Sequence, residues 1–203
     1  SAVKCYNDNG IDKIFVFDLS QEDNEHEKNL HTLKEINRIS EIPVYAGGNI
    51  NRLEDIKKIL YTGCKKVILN SLKYVSTELA KEGAMRFGKD KITMSLFNVD
   101  ILFKQKELME EHISELVILN PKLIGTIENV TEIPYIPVVD TMDKDRICEI
   151  LQSDNTIEGI AGSALGDIHA DIMGLKDALA QRGIPTGRLT SSLHWSDFKL
   201  NSD

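Results

Sequence analysis

The sequence predicts an α/β fold built as a (β/α)8 barrel of parallel strands. Short apolar runs of strand length recur along the 203 residues, and their starts are spaced by 29, 24, 26, 23, 21 and 21 residues. Helical patterns fill most of the gaps, as in a repeated strand–helix unit. No break in composition marks the point at which an open doubly wound sheet would change direction, which favours the barrel.

Seven segments are predicted as strands, and their continuous apolar character is typical of strands covered on both faces. They are KIFVFDL (13–19), IPVYA (42–46), KVILN (66–70), ITMSLF (92–97), ELVIL (115–119), IPVVD (136–140) and IEGIA (157–161). A closed barrel needs one more strand. Because VKCYNDN (3–9) has the pattern of a helix end, and a helix in this repeat follows a strand, we expect the first strand upstream of Ser1.

Helices are predicted where start and stop signals flank an apolar periodicity. Asn51, followed three residues later by Glu54, predicts an N-cap before IKKIL, and Gly63 predicts the end of that helix. Further helices are predicted over residues 27–39, 104–113, 144–151 and 167–181. The stretch PKLIGTIENVTEIP (121–134) is bounded by prolines and predicts one turn or a loop.

Charge and composition exclude several classes of partner. The chain has 24 basic and 32 acidic side chains, a net charge of −8, which disfavours nucleic acid and anionic lipid. No apolar run approaches the roughly 20 residues needed to cross a bilayer, and the first ten residues are too polar for a signal peptide. We therefore expect a cytoplasmic protein without nucleic-acid or membrane partners.

The cysteines and histidines give no metal or disulfide pattern. The three cysteines lie far apart in the sequence, which predicts free buried thiols, and the five histidines lack the spacing of zinc ligands. We therefore expect neither a metal nor another cofactor. The residues concerned are Cys5, Cys64, Cys148, His26, His31, His112, His169 and His194.

Three segments together resemble a known enzyme family. They are YNDNGIDKIFVFDLS (6–20), IPVYAGGNINRLEDIKKILYTGCKKVILNS (42–71) and IEGIAGSAL (157–165), with a closing helix before GIP (183–185). In this order they resemble the paired histidine-biosynthesis barrels, phosphoribosylformimino-carboxamide ribonucleotide isomerase and the cyclase subunit of imidazole glycerol phosphate synthase. The resemblance implies a barrel domain over residues 1–185.

The resemblance also implies a substrate with a phosphate at each end. Glycines let the backbone approach a phosphate closely, and N–H groups at a helix start donate to it. Tight strand–helix turns are the alternative explanation for such glycines, and the sequence leaves both open. The resemblance assigns Gly47, Gly48, Asn70 and Ser71 to a first phosphate cradle and Gly162 and Ser163 to a second.

The catalytic acid and base of the family are less well matched. In the family's numbering, the strand expected upstream of Ser1 is the first. The family places one carboxylate after the first strand and one after the fifth or sixth, and Phe97 stands where the fifth-strand aspartate is expected. Asp100, three residues later, is a weak candidate for this role. Asp18 matches an acidic position after the second strand, where a catalytic role and a structural role as a turn acceptor are both open.

Two further positions depart from the family. Ile124 precedes Gly125 and Thr126 where an Asp-Gly-Thr element is expected, and Asp140 follows the seventh strand where a Ser-Gly-Gly phosphate turn is expected. We therefore favour a catalytically degenerate barrel that acts as a scaffold, a dimerisation unit or a phosphoribosyl-binding domain. An active isomerase or cyclase with relocated acid and base is the alternative. A third is an unrelated phosphate-binding barrel.

The end of the sequence predicts a fusion. Residues 186–193 are polar and read as a linker, and HWSDFKLNSD (194–203) resembles the opening of phosphoribosyl-AMP cyclohydrolase. The resemblance implies a covalently linked cyclohydrolase domain after residue 203. A homodimer is a further possibility at this stage.

Overall fold

A computed structural model describes residues 1–73 and 75–187. Six parallel strands form one sheet in the order of the sequence, each hydrogen-bonded to the next. The sheet curls into a half-barrel, a parallel α/β arrangement consistent with a partial (β/α)8 barrel, as predicted. The strands are β1 (Ile14–Phe17), β2 (Val44–Gly47), β3 (Lys66–Asn70), β4 (Ile92–Leu96), β5 (Glu115–Ile118) and β6 (Tyr135–Pro137).

Within the described residues, eight α-helices accompany the strands. They are α1 (Ala2–Asp8), α2 (Asp23–Ile39), α3 (Leu53–Tyr61), α4 (Ser76–Phe87), α5 (Asp100–Lys104), α6 (Lys106–His112), α7 (Lys144–Gln152) and α8 (Ile172–Gln181). Short 3-10 helices span Lys89–Lys91, Pro121–Leu123, Ile127–Asn129 and Ser163–Gly166. Within the described part of the chain, no helix has the length and apolar character needed to cross a membrane.

The strands have two distinct faces because successive side chains alternate. Ile14 and Val16 of β1, and Leu116 and Ile118 of β5, pack in the core that also contains residues of the helices. The residues between them lie on the opposite face, which we call the inner face. At the carboxyl ends of the first five strands the alternation places Phe17, Gly47, Asn70, Phe97 and Leu119 on the inner face.

The last predicted strand, at 157–161, does not form as a strand. Only two isolated bridges join it to the β6 region, Tyr135 with Ile157 and Val138 with Ala161. The N–H groups that donate to β6 belong to Glu158 and Ala161, three residues apart, whereas a regular parallel strand donates from every second residue. An extra residue therefore interrupts the ladder. Within the described residues, no strand pairs with the other edge of β1.

The predicted helices form, with altered bounds. Helix α2 begins at Asp23 rather than at residue 27, and so includes most of the acidic run QEDNEHE at 21–27. Helix α8 begins only at Ile172 because Asp171 caps it. The prediction over 104–113 is divided into α5 and α6 at Gln105. No helix was predicted over the residues that form α4.

The cap of α3 also differs from the prediction. Its N-cap is Arg52 rather than Asn51. The carboxylate of Asp55, rather than Glu54, accepts hydrogen bonds from the backbone N–H groups of Asn51 and Arg52, each at 2.9 Å.

The two ends of the described chain pack against each other. The Lys176 ammonium of α8 contacts the Asp12 carboxylate at 2.7 Å, and Met173 of the same helix contacts Gly10. Cys64 and Cys148 are buried free thiols, as predicted, while Cys5 is half-buried. Most of the predicted linker and all of the cyclohydrolase-like segment lie outside the described residues.

Candidate functional site

The predicted site residues lie after the carboxyl ends of the strands. In parallel strand–helix barrels this edge carries the active site, because the loops that follow the strands meet there. Gly47 and Gly48 follow β2, and Asn70 and Ser71 follow β3, so the four residues of the first cradle lie on neighbouring strands. Gly162 and Ser163 lie near the end of β6, because the preceding residue, Ala161, forms a bridge with Val138.

The two glycines of the first cradle are also required by local packing. Gly48 has a φ of 89°, and a Cβ atom there would overlap the carbonyl oxygen of Asp18. A Cβ atom on Gly47 would come within 2.8 Å of the carbonyl oxygen of Ile68. The close approach of the β1 and β3 backbones therefore explains both glycines without a ligand.

The turn after β2 carries one N–H donor without an acceptor. Asn49 has a φ of 53°, and its side-chain amide donates to the carbonyl oxygen of Ser20 at 2.8 Å, which fixes the turn against the loop after β1. The backbone N–H of Asn49 donates to no acceptor within the described residues, whereas that of Gly48 is directed to β3 by the pairing of Gly47 with Ile68. A turn N–H group without an acceptor is suited to bind an anion.

The other half of the first cradle has side-chain donors available. The side-chain carbonyl oxygen of Asn70 accepts from the Leu72 N–H at 3.0 Å, and its amide nitrogen donates to no acceptor within the described residues. The Ser71 N–H donates to the Ser95 carbonyl oxygen at 3.1 Å, and the Ser71 hydroxyl makes no hydrogen bond within the described residues. The backbone N–H groups of Asn51 and Arg52, just before α3, donate to Asp55. The turn after β2 and the side chains of Asn70 and Ser71 therefore offer donors for an anion in this cradle.

The second cradle is occupied by a carboxylate of the chain itself. Asp140 Oδ1 accepts from the Ser163 hydroxyl at 2.8 Å and from the Ala164 N–H at 3.0 Å. These are the hydroxyl and amide donors that a phosphate at this turn would require. A Cβ atom on Gly162 would overlap the Val139 carbonyl oxygen, so this glycine too has a packing reason.

Asp18 is held by three hydrogen bonds. Its carboxylate accepts from the Ser20 N–H at 2.9 Å and the Asn29 side chain at 2.7 Å, and it pairs with His26 Nδ1 at 2.6 Å. Burial opposes ionisation of Asp18, but these hydrogen bonds outweigh it and hold its pKa well below the usual range. A carboxylate so engaged stays ionised and is poorly suited to exchange a proton.

His26 was not identified as a site residue from the sequence, because it lies in an acidic run that reads as a solvated surface. Its side chain is only 16% exposed, and its Nε2 is buried without a hydrogen-bond partner within the described residues. Because Asp18 is ionised, Nδ1 carries the proton and donates to it. The pair lies beside Gly47 and Gly48.

The remaining catalytic candidates are separated. Asp100 begins α5 after β4, and Asp18 follows β1, so three strand spacings, about 14 Å along the sheet, separate their strands. The Asp100 side chain is exposed. Phe97, at the position that the resemblance assigns to a carboxylate, is 54% exposed on the inner face. A phenyl ring cannot transfer a proton.

The segment that contains Ile124 is tied to the helical side of β6. The Gly125 N–H donates to the Tyr135 hydroxyl at 3.2 Å, and that hydroxyl donates to buried Asp154 at 2.8 Å. Asp154 also accepts from the Glu128 N–H at 3.2 Å. These bonds fix the short turns predicted over 121–134, and they give Gly125 a structural role.

A charge cluster occupies the opposite, amino-terminal end of the inner face. The buried Glu115 carboxylate lies 3.1 Å from the Lys66 ammonium and 3.7 Å from that of Lys13. Burial opposes ionisation of Glu115, but a hydrogen bond from Glu158 and the two ammonium groups lower its pKa. Burial and the Glu115 charge raise the pKa of Glu158 to about 7. This end of a barrel usually serves stability rather than catalysis.

Comparison with known proteins identifies relatives of the chain. The family model described as "Histidine biosynthesis protein" matches residues 1–162. The imidazole glycerol phosphate synthase subunit HisF of Exiguobacterium sp. is 34% identical over 104 residues, which cover 51% of this chain and 40% of that protein. The corresponding subunit of Clostridium botulinum is 36% identical over 96 residues, covering 46% and 37%.

A longer alignment is found with the same subunit of Staphylococcus aureus. It is 22% identical over 211 residues, which cover 88% of this chain and 84% of the relative. The first two alignments span only about two fifths of those relatives, whereas this one extends over most of both chains.

Proposed function

Because the chain belongs to the histidine biosynthesis protein family, we propose that it is a phosphoribosyl-ligand-binding barrel of that pathway, one that has lost the family's acid–base pair. The first cradle is its binding site. The observation that carries the proposal is the N–H group of Asn49, which donates to no acceptor within the described residues and follows the strand next to the one that ends in Asn70 and Ser71. Neutral donors at neighbouring strand ends suit a phosphate oxyanion.

The loss of catalysis is supported by the groups at the strand ends. Phe97 stands where the resemblance places the fifth-strand carboxylate, and Asp18 is engaged in three hydrogen bonds. A general acid or base must exchange its proton near neutral pH, and a strongly stabilised carboxylate does so poorly.

The barrel is further proposed to serve a cyclohydrolase carried on the same polypeptide. The support for this is the likeness of residues 194–203 to the opening of phosphoribosyl-AMP cyclohydrolase. In that setting the barrel acts as a scaffold, a binding domain or a dimerisation unit. Mass spectrometry of the natural gene product tests the fusion, and peptides that end the protein at Asp203 contradict it.

An active isomerase or cyclase is the second candidate. It is favoured by the exposed carboxylate of Asp100, which accepts no hydrogen bond within the described residues. Its weakness is the separation from Asp18 across the sheet.

Calorimetry with ribose 5-phosphate tests the binding site. We expect one site in the 203-residue chain, and a loss of about 10- to 150-fold in affinity for Asn70→Ala, because a hydrogen bond to a charged group contributes about 1.5–3 kcal/mol. Asn155→Ala is the matched control, since Asn155 is exposed and follows α7 far from the cradle. Its affinity should equal that of the wild type.

Two outcomes would overturn the proposed site. One is the absence of heat at millimolar ribose 5-phosphate. The other is equal affinity for Asn70→Ala and Asn155→Ala, with circular dichroism spectra that show both variants folded.

A further inference from the structure

A cavity of about 160 Å³ lies between α2 and the first two strands, on the helical side of the sheet. Most of its wall consists of apolar core side chains from β1, β2, α2 and α3. A cavity of about 150 Å³ with such walls is large enough to bind benzene, so this one has room for a single aromatic ring. The apolar residues that line it are Val16, Leu30, Leu33, Ile36, Ala46 and Ile59.

The cavity is open to solvent at one part of its wall and carries a negative charge. Asn29 and Thr32 also line it, and both residues are exposed, so a small molecule has a way in. Asp18 is the one charged residue among the described residues that line it. Because the Asp18 carboxylate is ionised, an anion inside the cavity would be repelled. The cavity therefore suits a neutral molecule.

His26, which also lines the cavity, has one ring nitrogen without a hydrogen-bond partner. Its Nδ1 carries a proton and donates to Asp18 Oδ2 at 2.6 Å, which leaves Nε2 as an acceptor. Nε2 is buried, and no group within the described residues donates to it. A molecule in the cavity lies against this ring. Because a buried acceptor without a donor is costly, a ligand that donates one hydrogen bond to Nε2 would be favoured.

We propose that this cavity binds a small neutral aromatic molecule with one hydrogen-bond donor, such as a phenol, and that His26 Nε2 accepts the bond. The apolar walls hold the aromatic ring, as in other small-molecule sites that combine apolar walls with few polar groups. Asp18 keeps His26 in the tautomer that accepts. The inference goes beyond the proposed function and does not depend on it, since the ligand carries no phosphate.

NMR titration of the chain with phenol and toluene tests this proposal. The two probes share a ring and are similar in size, but only phenol has a donor. Labelling of the histidines with ¹⁵N reports on Nε2 directly. The variant is His26→Phe, which keeps a ring and removes both nitrogens. The matched control is His31→Phe, because His31 is exposed on the same helix and does not line the cavity.

Both probes should bind the wild type, and phenol should move the Nε2 resonance of His26 much more than toluene does. In His26→Phe, the affinity for phenol relative to that for toluene should fall about tenfold or more, because the phenol hydroxyl is then buried without a partner. His31→Phe should leave this ratio unchanged. Ile36→Phe, which places a larger side chain at the cavity wall, should weaken the binding of both probes.

Three results would overturn the inference. The first is that neither probe binds the wild type at millimolar concentration. The second is an equal affinity ratio in His26→Phe and His31→Phe, with circular dichroism spectra that show both variants folded. The third needs only the wild type and so holds even if His26→Phe does not fold: phenol moves the Nε2 resonance of His26 no more than toluene does. The binding of ribose 5-phosphate is measured separately, so the proposed function is not affected by any of these results.

Discussion

Replacing Asp18 by alanine should destabilise the fold strongly for a residue in a loop. The side chain is only 14% exposed, and it accepts hydrogen bonds from Ser20 and Asn29 and pairs with His26. Bonds to a charged group contribute about 1.5–3 kcal/mol each, but neighbours that share one acceptor are not additive. We therefore expect a loss of about 2–4 kcal/mol in the free energy of unfolding.

Urea denaturation at pH 7 measures this loss. With a slope of about 2–3 kcal/mol per molar urea, the midpoint should fall by about 1 M. Asp100→Ala is the control, because Asp100 is the other candidate carboxylate and its exposed side chain accepts no hydrogen bond within the described residues. Asp100 is the first residue of α5, where a carboxylate interacts only with the helix dipole. Its removal should therefore lower the free energy of unfolding by about 0.5 kcal/mol or less.

The difference between wild type and Asp18→Ala should also depend on pH. The folded-state pKa of Asp18 lies below its ordinary value of 3.8, so its contribution is complete above that pH and is lost as the pH falls below it. The stability difference should be constant from pH 6 to 8 and shrink below about pH 4. The reasoning is refuted if Asp18→Ala costs no more than Asp100→Ala.

Three further substitutions test other parts of the account. Tyr135→Phe removes the hydroxyl that bonds Asp154, and should lower the free energy of unfolding by about 1–2 kcal/mol in urea; an unchanged midpoint would contradict this. Gly48→Ala should cost about 1–3 kcal/mol and weaken ribose 5-phosphate binding, because the new Cβ overlaps the Asp18 carbonyl oxygen at a φ of 89°; wild-type behaviour in both assays would show that the turn relaxes freely. Glu158 has a pKa raised to about 7, so its ionisation destabilises the folded state increasingly as the pH rises from about 4.5 to 7. Glu158→Gln should therefore gain stability relative to the wild type across that window, by less than about 1 kcal/mol because solvent screens the exposed part of the Glu158 side chain. A stability difference that is equal at pH 5 and pH 8 would refute this prediction.

The sequence was a good guide where the pattern is local. The strands β1 to β6 are apolar runs covered by helices, and an uninterrupted run such as residues 66–70 needs no distant information to be recognised. The prediction of a strand at 157–161 was wrong because Glu158 and Gly159 interrupt the apolar run. Helix α4 was missed because part of its buried face consists of small residues, Ala80 and Gly83, which give a weak periodicity.

The site was less predictable because it depends on distant contacts. The positions of Gly47 and Gly48 follow from a local motif, whereas the bond between Asp140 and Ser163 joins residues 23 apart. The partnership of His26 with Asp18 was hidden for a different reason. His26 lies in the acidic run 21–27, and only the course of α2 over the sheet shows that one residue of this run faces inward.

The central claim, a phosphate-binding barrel without its acid and base, is tested most directly by growth. The full-length gene is expressed in two bacterial hosts, one lacking the isomerase and one lacking the cyclase, on medium without histidine. The Staphylococcus aureus subunit is the positive control in the cyclase-deficient host. The account predicts that neither host grows with the gene, although the purified product binds ribose 5-phosphate. Growth of either host with the gene would contradict it.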